Sequence, residues 1–157
     1  MGRHVLVAMG RTDASDAALE YAFEEYPAAK ISVLHVTDAA GPLARFGGRD
    51  PCEYVIPELT AERGAELLPT PDRFTRAQCR RAEQVLSRAH ELAERHDREI
   101  EPAVRSGGAA REITDYAEEH AVDHIVIADH PPTAFRPVFR SVPESVTRNA
   151  SAPVTTL

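Results

Sequence analysis

The side chains with the widest chemical range in this sequence are its seven histidines. His120 and His124 are four residues apart, a spacing that within one helix places both rings on the same face. Residues 121–123 are predicted to end the helix between them, so the spacing does not indicate a site. His90 and His96 fall on different faces of a predicted helix. His35 lies in an apolar strand, where a half-buried side chain with its hydrogen bonds satisfied is expected. The sequence therefore predicts no metal site.

The two cysteines, Cys52 and Cys79, are the other candidates for reactive side chains. A thiol nucleophile needs a nearby base and a lowered pKa, and neither cysteine has a recognisable partner. The pair also forms neither a disulfide framework nor a zinc-ligand spacing. The sequence contains neither the Gly-x-Ser-x-Gly nor the Gly-x-x-x-x-Gly-Lys motif. No catalytic residue is predicted.

Composition bounds the possible partners of the chain. Its 157 residues are 43% hydrophobic and 27% charged, which is typical of one soluble globular domain. The formal net charge is −7, whereas non-specific nucleic-acid binding needs clustered Lys and Arg. No apolar run reaches the roughly 18–20 residues of a membrane span, and the N-terminus has no signal-peptide pattern. We expect a cytoplasmic protein with neither a nucleic-acid nor a membrane partner.

Five segments have the pattern of strands. Apolar runs predict buried strands at His4–Met9, Ile31–Val36 and Asp123–Ala128. Ile100–Val104 has a weaker strand pattern, and Pro153–Leu157 is predicted to be the last strand. Because a proline within the former cannot donate a ladder hydrogen bond, that strand is predicted to lie at a sheet edge.

Apolar residues spaced by three and four predict the intervening helices. These helices cover residues 14–26, Phe74–His96, Ala109–His120 and a short segment that ends near Asn149. Strands that alternate with helices predict an α/β fold, a parallel sheet with right-handed crossovers and helices on both faces. Ligands in such folds bind beyond the carboxyl ends of the strands.

The segment from Asp38 to Asp72 interrupts this alternation. It contains five prolines and is predicted to be a long irregular loop, for which mobility is the favoured interpretation. We therefore expect residues 1–157 to form a single domain with an irregular loop at about 38–72.

The order and spacing of these elements resemble the universal stress protein family, of the adenine nucleotide alpha hydrolase-like superfamily. The resemblance is carried by Val5–Ser15 with Ala18–Ala22, Ile31–Val36, Gly107 with Glu112 and Ile113, Asp123–Ala128, Ser141 with Val142, and Ala152–Val154. It implies a three-layer, open five-stranded parallel sheet in the order 3-2-1-4-5. It also implies a homodimer, here through Ala152–Leu157, and a role in stress resistance. Many members bind ATP, with no settled enzymatic reaction.

The resemblance also implies a nucleotide pocket at the carboxyl edge of the sheet. Its candidate residues here are Met9, Gly10, Arg11, Thr12, Val36, Gly107, Ala128, Ser141 and Val142. Arg136 and Arg140 are added to them as candidate replacements for missing backbone donors.

Two departures from the family pattern weaken the expected phosphate site. ATP-binding members have glycines after the fourth strand, in a pattern like G-x-x-G, about nine residues and G-[ST], which let backbone N–H groups approach phosphate. The segment from Ala128 to Ser141 has no glycine. Its three prolines lack N–H groups, and Asp129 adds negative charge. Gly10 also stands where nucleotide-binding members usually have Asp.

The remaining candidate contacts each have two interpretations. Ser141 could bind phosphate, or it could form a capping box with Glu144. Arg136 and Arg140 could hold phosphate with guanidinium forks, or they could be solvated or paired with acids. The Gly107–Gly108 pair could bring a helix N-terminus to an anion or could only form a turn.

The sequence leaves three functional hypotheses. The first is a non-enzymatic, dimeric regulatory or interaction module in the stress response, with weak or lost ATP binding. The second is an ATP binder or slow nucleotide hydrolase with an arginine-based phosphate site. The third is a small-molecule binder in which Phe46, Tyr54, Phe135 and Phe139 cover an altered apolar pocket.

Overall fold

The computed structural model describes residues 2–10, 12–37, 76–128 and 142–157. The elements, in chain order, are β1 (His4–Ala8), α1 (Asp13–Glu25), β2 (Lys30–Thr37), α2 (Arg76–Arg95), β3 (Glu101–Ser106), α3 (Ala109–Glu119), β4 (His124–Ile127), α4 (Val142–Asn149) and β5 (Val154–Thr156). The predicted loop at 38–72 and the predicted cap residue Ser141 lie outside the described residues.

The five strands form one parallel sheet in the order β3-β2-β1-β4-β5. This confirms the α/β class and the strand order that the resemblance implies. The central strand β1 is buried throughout, because it pairs with β2 on one side and β4 on the other. Leu6, for example, lies opposite both Ser32 and Ile125.

Two helix layers cover the two faces of the sheet. Side chains alternate between the faces of a strand, so Val5, Val7 and Met9 pack in one hydrophobic cluster with α1 and α2. Leu6 and Ala8 pack in the other cluster, with α3 and α4. The near-continuous apolar run of β1 therefore fills two cores at once, as expected of a strand buried on both faces.

The outer strands of the sheet are β3 and β5. Pro102 lies in β3 opposite Val33, which confirms the predicted edge position. The Gly107 N–H donates to the Thr37 carbonyl at 3.0 Å, so residues 101, 103 and 105 also bond β2 and the nitrogen of Pro102 points outward. The strand extends two residues beyond the predicted end because Arg105 and Ser106 continue the ladder with β2.

The end of α1 is held by one arginine from the α2–β3 connection. Arg98 donates Nη1–H to the Phe23 carbonyl at 3.0 Å. Its Nη2 donates to the carbonyls of Tyr26 and Ala29 at 3.1 and 3.0 Å. Helices leave their last carbonyls without intrahelical partners, and the guanidinium satisfies these groups while joining α1 to the start of β2.

The helices α2 and α3 are each followed, two residues after their last residue, by a residue with left-handed backbone conformation. Asp97 has φ 51° and Ala121 has φ 49°. The Val122 N–H then donates to the Ala117 carbonyl at 2.9 Å, which closes the turn after α3. Since α3 ends before His120, His120 and His124 do not share a helix face, as predicted.

Candidate functional site

A cleft of about 160 Å³ opens at the carboxyl edge of the sheet, beside the end of β1. We call it the sheet-edge cleft. It is lined by Ala8, Met9, Gly10, Ser15, Leu34, His35, Val36, Ala109, Ile113, Ile127, Ala128, Val142 and Pro143. The structure thus brings together five residues predicted for the pocket, which are Met9, Gly10, Val36, Ala128 and Val142.

The backbone of Met9 and Gly10 lines the sheet-edge cleft and is held by three hydrogen bonds. The Met9 N–H donates to the Leu34 carbonyl at 2.9 Å. The Met9 carbonyl accepts from His35 Nδ1 at 2.9 Å, and the Gly10 N–H donates to Ser15 Oγ at 2.9 Å. Because a carbonyl can only accept, the His35 ring carries a hydrogen on Nδ1. Both side chains are buried, so this wall has a fixed shape.

Gly10 is not required by space at its position. A Cβ built there would lie 3.7 Å from Ser15 Oγ, an ordinary contact distance, and the backbone needs no left-handed conformation. The glycine that replaces the family's usual Asp is therefore not imposed by crowding from the described residues.

Gly107 lies in the turn between β3 and α3, two residues before the cleft-lining Ala109. Its φ is +151°, and a Cβ there would lie 2.8 Å from Glu112 Oε1. Glycine is required here, because L side chains rarely adopt this conformation. The predicted site glycine therefore has a structural role in the turn, with the Glu112 carboxylate directly against it.

A second, more polar groove adjoins the sheet-edge cleft and shares Met9 and Gly10 with it. This α1–α2 groove of about 240 Å³ is also lined by Thr12, Asp13, Asp16, Gln84, Val85 and Arg88. Thr12, another predicted pocket residue, therefore lies in the groove. Its hydroxyl is 3.4 Å from Ser15 Oγ, and its carbonyl accepts from the Ser15 N–H at 3.0 Å.

Unlike α2, which has none, the other three described helices carry acidic side chains in their first turn. These are Asp13 and Asp16 in α1, Glu112 in α3 and Glu144 in α4. A helix N-terminus carries a partial positive charge that favours anions. Carboxylates in the first turn already use this charge, so the potential that would attract phosphate is reduced.

Two described arginines near this edge are engaged with carboxylates. Arg88 Nε donates to Asp16 Oδ2 at 2.9 Å, and this hydrogen bond raises the pKa of Arg88. Arg105 donates to Glu119 and lies 3.8 Å from Glu112. The hydrogen bond to Glu119 raises the pKa of Arg105 and lowers the pKa of Glu119.

The cationic half of the predicted pocket lies outside the described residues. Arg11, Arg136, Arg140 and Ser141 all fall there, so their contact with phosphate stays a prediction. Among residues 2–10, 12–37, 76–128 and 142–157, no group of three His, Cys, Asp or Glu side chains could hold a metal ion. In the same part of the chain, no helix combines the length and apolar character needed to cross a bilayer.

Sequence reasoning missed several residues of the sheet-edge cleft. Ser15 was not singled out, although it lies three residues after the N-cap Thr12 and so could turn back toward the preceding loop. His35 bonds the Met9 carbonyl, as expected of a satisfied side chain, but its ring is buried rather than half-buried. The position of His35 in the cleft wall was not predicted. Ala109 and Pro143 begin helices, and only the assembled sheet brings their first turns together.

The model of the universal stress protein family matches residues 1–157. The chain belongs to the universal stress protein family. A search of the curated proteins found no match.

Solved structures of the family share the fold. UspA from Lactobacillus plantarum is 20% identical with a TM-score of 0.67, over 99% of this chain and 97% of that chain. A universal stress protein from Archaeoglobus fulgidus in complex with dAMP is 19% identical with a TM-score of 0.64, over 99% and 97%. A family protein from Arabidopsis thaliana with AMP bound is 14% identical with a TM-score of 0.59, over 99% and 90%.

Proposed function

We propose that this universal stress protein is a non-enzymatic regulatory or interaction module of the stress response, with weak or lost ATP binding. The observation that carries the proposal is the set of carboxylates in the first turns of α1, α3 and α4. These helices begin around the sheet-edge cleft. A triphosphate there would find that carboxylates of the chain already occupy the helix ends that in other proteins attract anions.

The glycine-free segment from Ala128 to Ser141 supports the same conclusion. Backbone N–H groups are the donors that cradle phosphate at such an edge, and the three prolines in this segment have none. Pro143, in the first turn of α4, removes one more donor from a helix N-terminus. The sequence of this segment thus supports the proposal, because it offers few backbone donors for phosphate.

Calorimetric titration of the full chain with ATP and magnesium tests this proposal. We expect no saturation below millimolar ATP and no release of ADP. Micromolar ATP affinity would contradict it.

A second candidate function is ATP binding through an arginine-based phosphate site. It is favoured by the retained cleft and by the dAMP and AMP complexes of structurally similar proteins. If it holds, ATP binds in the micromolar range and Arg140→Ala abolishes binding. Arg148→Ala is the matched control, since Arg148 lies in the last turn of α4 and is half exposed. Equal affinity of the two variants would count against this candidate.

We further propose that the protein is a cytoplasmic homodimer paired through its last strand. β5 pairs with β4 and is an outer strand of the sheet. Leu157, directly after it, is 44% exposed. An unpaired apolar edge is a template for a second copy.

One substitution separates pairing between chains from folding of the edge strand. Ile125 donates to the Pro153 carbonyl, and Leu157 donates to the Ile127 carbonyl. By alternation, the N–H of Thr156 points away from β4. Thr156→Pro is expected to give folded monomers in light scattering, whereas Thr156→Val stays dimeric. Deletion of residues 152–157 is expected to give monomers or aggregates, and a soluble dimer after that deletion would contradict this pairing.

A further inference from the structure

His4, at the amino end of β1, makes three bonds to the α3–β4 turn, residues 120–123. Its ring nitrogen Nδ1 lies 3.2 Å from the His120 carbonyl oxygen, and because a carbonyl can only accept, Nδ1 carries a hydrogen. The His4 backbone N–H donates to Asp123 Oδ2, and the Asp123 N–H donates to the His4 carbonyl, both at 2.8 Å. One residue of the central strand therefore holds both ends of the turn.

The other ring nitrogen of His4 sets the direction of a buried chain of hydrogen bonds. His4 Nε2 lies 2.8 Å from Ser32 Oγ, and since the ring hydrogen is on Nδ1, Nε2 accepts from the Ser32 hydroxyl. The Tyr116 hydroxyl bonds the Ser32 side chain. Because the Ser32 hydrogen is directed to His4, Tyr116 is the donor in that bond. The hydrogens therefore point from α3 through β2 to His4.

A proton on Nε2 of His4 removes the acceptor on which this order depends. The ring then donates to Ser32, the Ser32 hydrogen turns to the Tyr116 oxygen, and the Tyr116 hydrogen has to find another acceptor. Ser32 and Tyr116 are 0% and 2% exposed, so water has little access to them while the turn is closed. A buried charge and a buried donor without a partner both destabilise the closed arrangement.

The described charged groups around the ring do not offset this cost. Burial has the largest effect on the pKa of His4 and lowers it below the ordinary value of 6.5. Lys30 and the His120 ring also disfavour a positive charge there, whereas Glu101 favours it. Lys30 and Glu101 are paired with each other at 2.9 Å, and Asp123 bonds the His4 backbone. The open turn therefore binds a proton more readily than the closed turn.

The α3–β4 turn is the side of this contact that can move. Its residues His120, Ala121 and Asp123 are exposed, and Ala121 has φ 49°, a conformation that is unfavourable for a residue with a Cβ. β1, in contrast, lies between β2 and β4 at the centre of the sheet. Segments with few buried contacts open locally at a lower free energy than the whole fold.

We propose that His4 is a pH-sensitive contact that holds the α3–β4 turn closed while its ring is neutral and releases the turn when its ring is protonated. The release exposes His4 and the side chain of Val122, which are 9% and 8% exposed in the closed turn. This device lies at the end of the sheet opposite the sheet-edge cleft and does not depend on the proposed function.

Amide hydrogen exchange of the full chain between about pH 7 and about pH 5 tests the proposal. The N–H groups of Val122 and Asp123 report on the turn, and the N–H of Met9, bonded to the Leu34 carbonyl, reports on the sheet. After correction for intrinsic exchange rates, protection of the two turn amides is expected to fall about fivefold over this range. Turn protection that does not fall would overturn the proposal.

Low concentrations of urea separate local opening from global unfolding. Protection of the turn amides should be lower than that of Met9 and insensitive to urea, because local opening exposes little surface. Protection of Met9 should fall with urea. If the turn amides and Met9 had equal protection and equal urea sensitivity, the turn would open only when the whole protein unfolds, and the proposal would be overturned.

Three variants identify the group that titrates. His4→Gln keeps a neutral donor and a neutral acceptor and is expected to remove the pH dependence of turn protection. His124→Gln changes a half-buried histidine bonded to Thr155, and Asp123→Asn removes the carboxylate of the turn. Both are expected to retain the pH dependence. Its persistence in His4→Gln, or its loss in either control, would overturn the proposal.

An NMR titration of the unmodified protein gives the same test without a substitution at His4. The ring signals of His4 and the amide signals of Val122 and Asp123 are expected to shift with one shared midpoint. Separate midpoints would show that another group releases the turn.

Discussion

The buried polar side chains have different hydrogen-bond partners at the two ends of the sheet. At the carboxyl end, Ser15 and His35 bond the backbone and leave an apolar wall open. At the amino end, polar side chains bond one another beneath α3 and are sealed from solvent. His4 is 9% exposed and Ser32 is 0% exposed. The amino end therefore consists of a closed polar network, and the carboxyl end retains a cleft.

The network at the amino end runs through four groups in sequence. His4 Nδ1 lies 3.2 Å from the His120 carbonyl, so it carries the ring hydrogen. His4 Nε2 then accepts from Ser32 Oγ at 2.8 Å. The Tyr116 hydroxyl bonds the Ser32 side chain. Since polar groups buried without partners destabilise a fold, the completeness of this chain of bonds makes it a stabilising feature with no access for a ligand.

Replacing His4 is expected to have the largest effect on stability, because it disrupts the polar network at the amino end. His4→Leu leaves the Ser32 hydroxyl and the His120 carbonyl without their partner, and we expect a loss of about 2–4 kcal/mol in the free energy of unfolding. Urea denaturation measures it. His124→Leu is the control, because its half-buried ring makes one side-chain bond, to Thr155, and its loss is expected to be about 1 kcal/mol. Equal losses for His4→Leu and His124→Leu would mean that the closed network stabilises the fold no more than a single hydrogen bond does.

Arg98 tests a second contact at the amino end, which is half-buried. Arg98→Ala removes three carbonyl contacts and is expected to cost about 1.5–3 kcal/mol in urea denaturation, as hydrogen bonds from a charged group do. Arg98→Lys should recover only part of this, because an ammonium lacks the planar fork. Arg95→Ala, at an exposed position, should stay within about 0.5 kcal/mol. If Arg98→Ala lost no more stability than Arg95→Ala, Arg98 would have no role in joining α1 to β2.

Gly107 tests whether the turn between β3 and α3, at the carboxyl end, has a fixed backbone conformation. Gly107→Ala is expected to cost about 1–3 kcal/mol, because of its φ and the contact with Glu112. Gly108→Ala is the matched control. Gly108 has φ −70° and no heavy atom within 4 Å of a built Cβ, so the change should stay within about 0.5 kcal/mol. Thermal and urea denaturation of both variants measure the difference, and equal effects would show that the turn can rearrange.

As the pH falls, protonation of two histidines at the amino end is expected to lower the stability of the protein. Burial lowers the pKa of His4 and of His124 below the ordinary value of 6.5. The unfolded chain then binds more protons than the folded one just below that value. The stability is fully present above pH 6.5 and is lost as the pH falls through the lowered pKa values, by at most about 1.4 kcal/mol per pH unit for each histidine.

Denaturation midpoints at several pH values test this expectation. The slope of the free energy of unfolding against pH should decrease in His4→Gln. It should decrease further in the double variant that also carries His124→Gln. A slope that is unchanged in both variants would show that other groups control the acid response.

The smallest expected effect is a gain in stability. Ala121 has a left-handed backbone conformation after α3, so Ala121→Gly is expected to raise the free energy of unfolding by about 0.5–1 kcal/mol. Asp97→Gly should raise it less, since Asp tolerates this conformation better than Ala. Urea denaturation with a precision of a few tenths of a kcal/mol is sufficient. A loss of stability in both variants would indicate that these turns need their side chains.

The sequence predicted the sheet more fully than it predicted either end. The apolar runs of β1, β2 and β4 are local signals, and the proline in β3 indicated an edge. The strand order came from the family resemblance. The bond between His4 and Ser32 joins residues 28 positions apart, and no local pattern encodes such a pairing. The cleft lining that was missed, such as Ser15 and Ala109, depends in the same way on how helix starts meet across the sheet.

The outward nitrogen of Pro102 has a consequence for assembly. Since proline cannot donate a backbone hydrogen bond, an additional strand laid along β3 would lack one rung at that point. The opposite outer strand carries no proline within its bounds. Growth of the sheet from one side alone produces a closed pair of molecules, whereas growth from both sides would produce an endless ribbon. Pro102 therefore makes the β3 edge a weaker template for a further strand than the β5 edge.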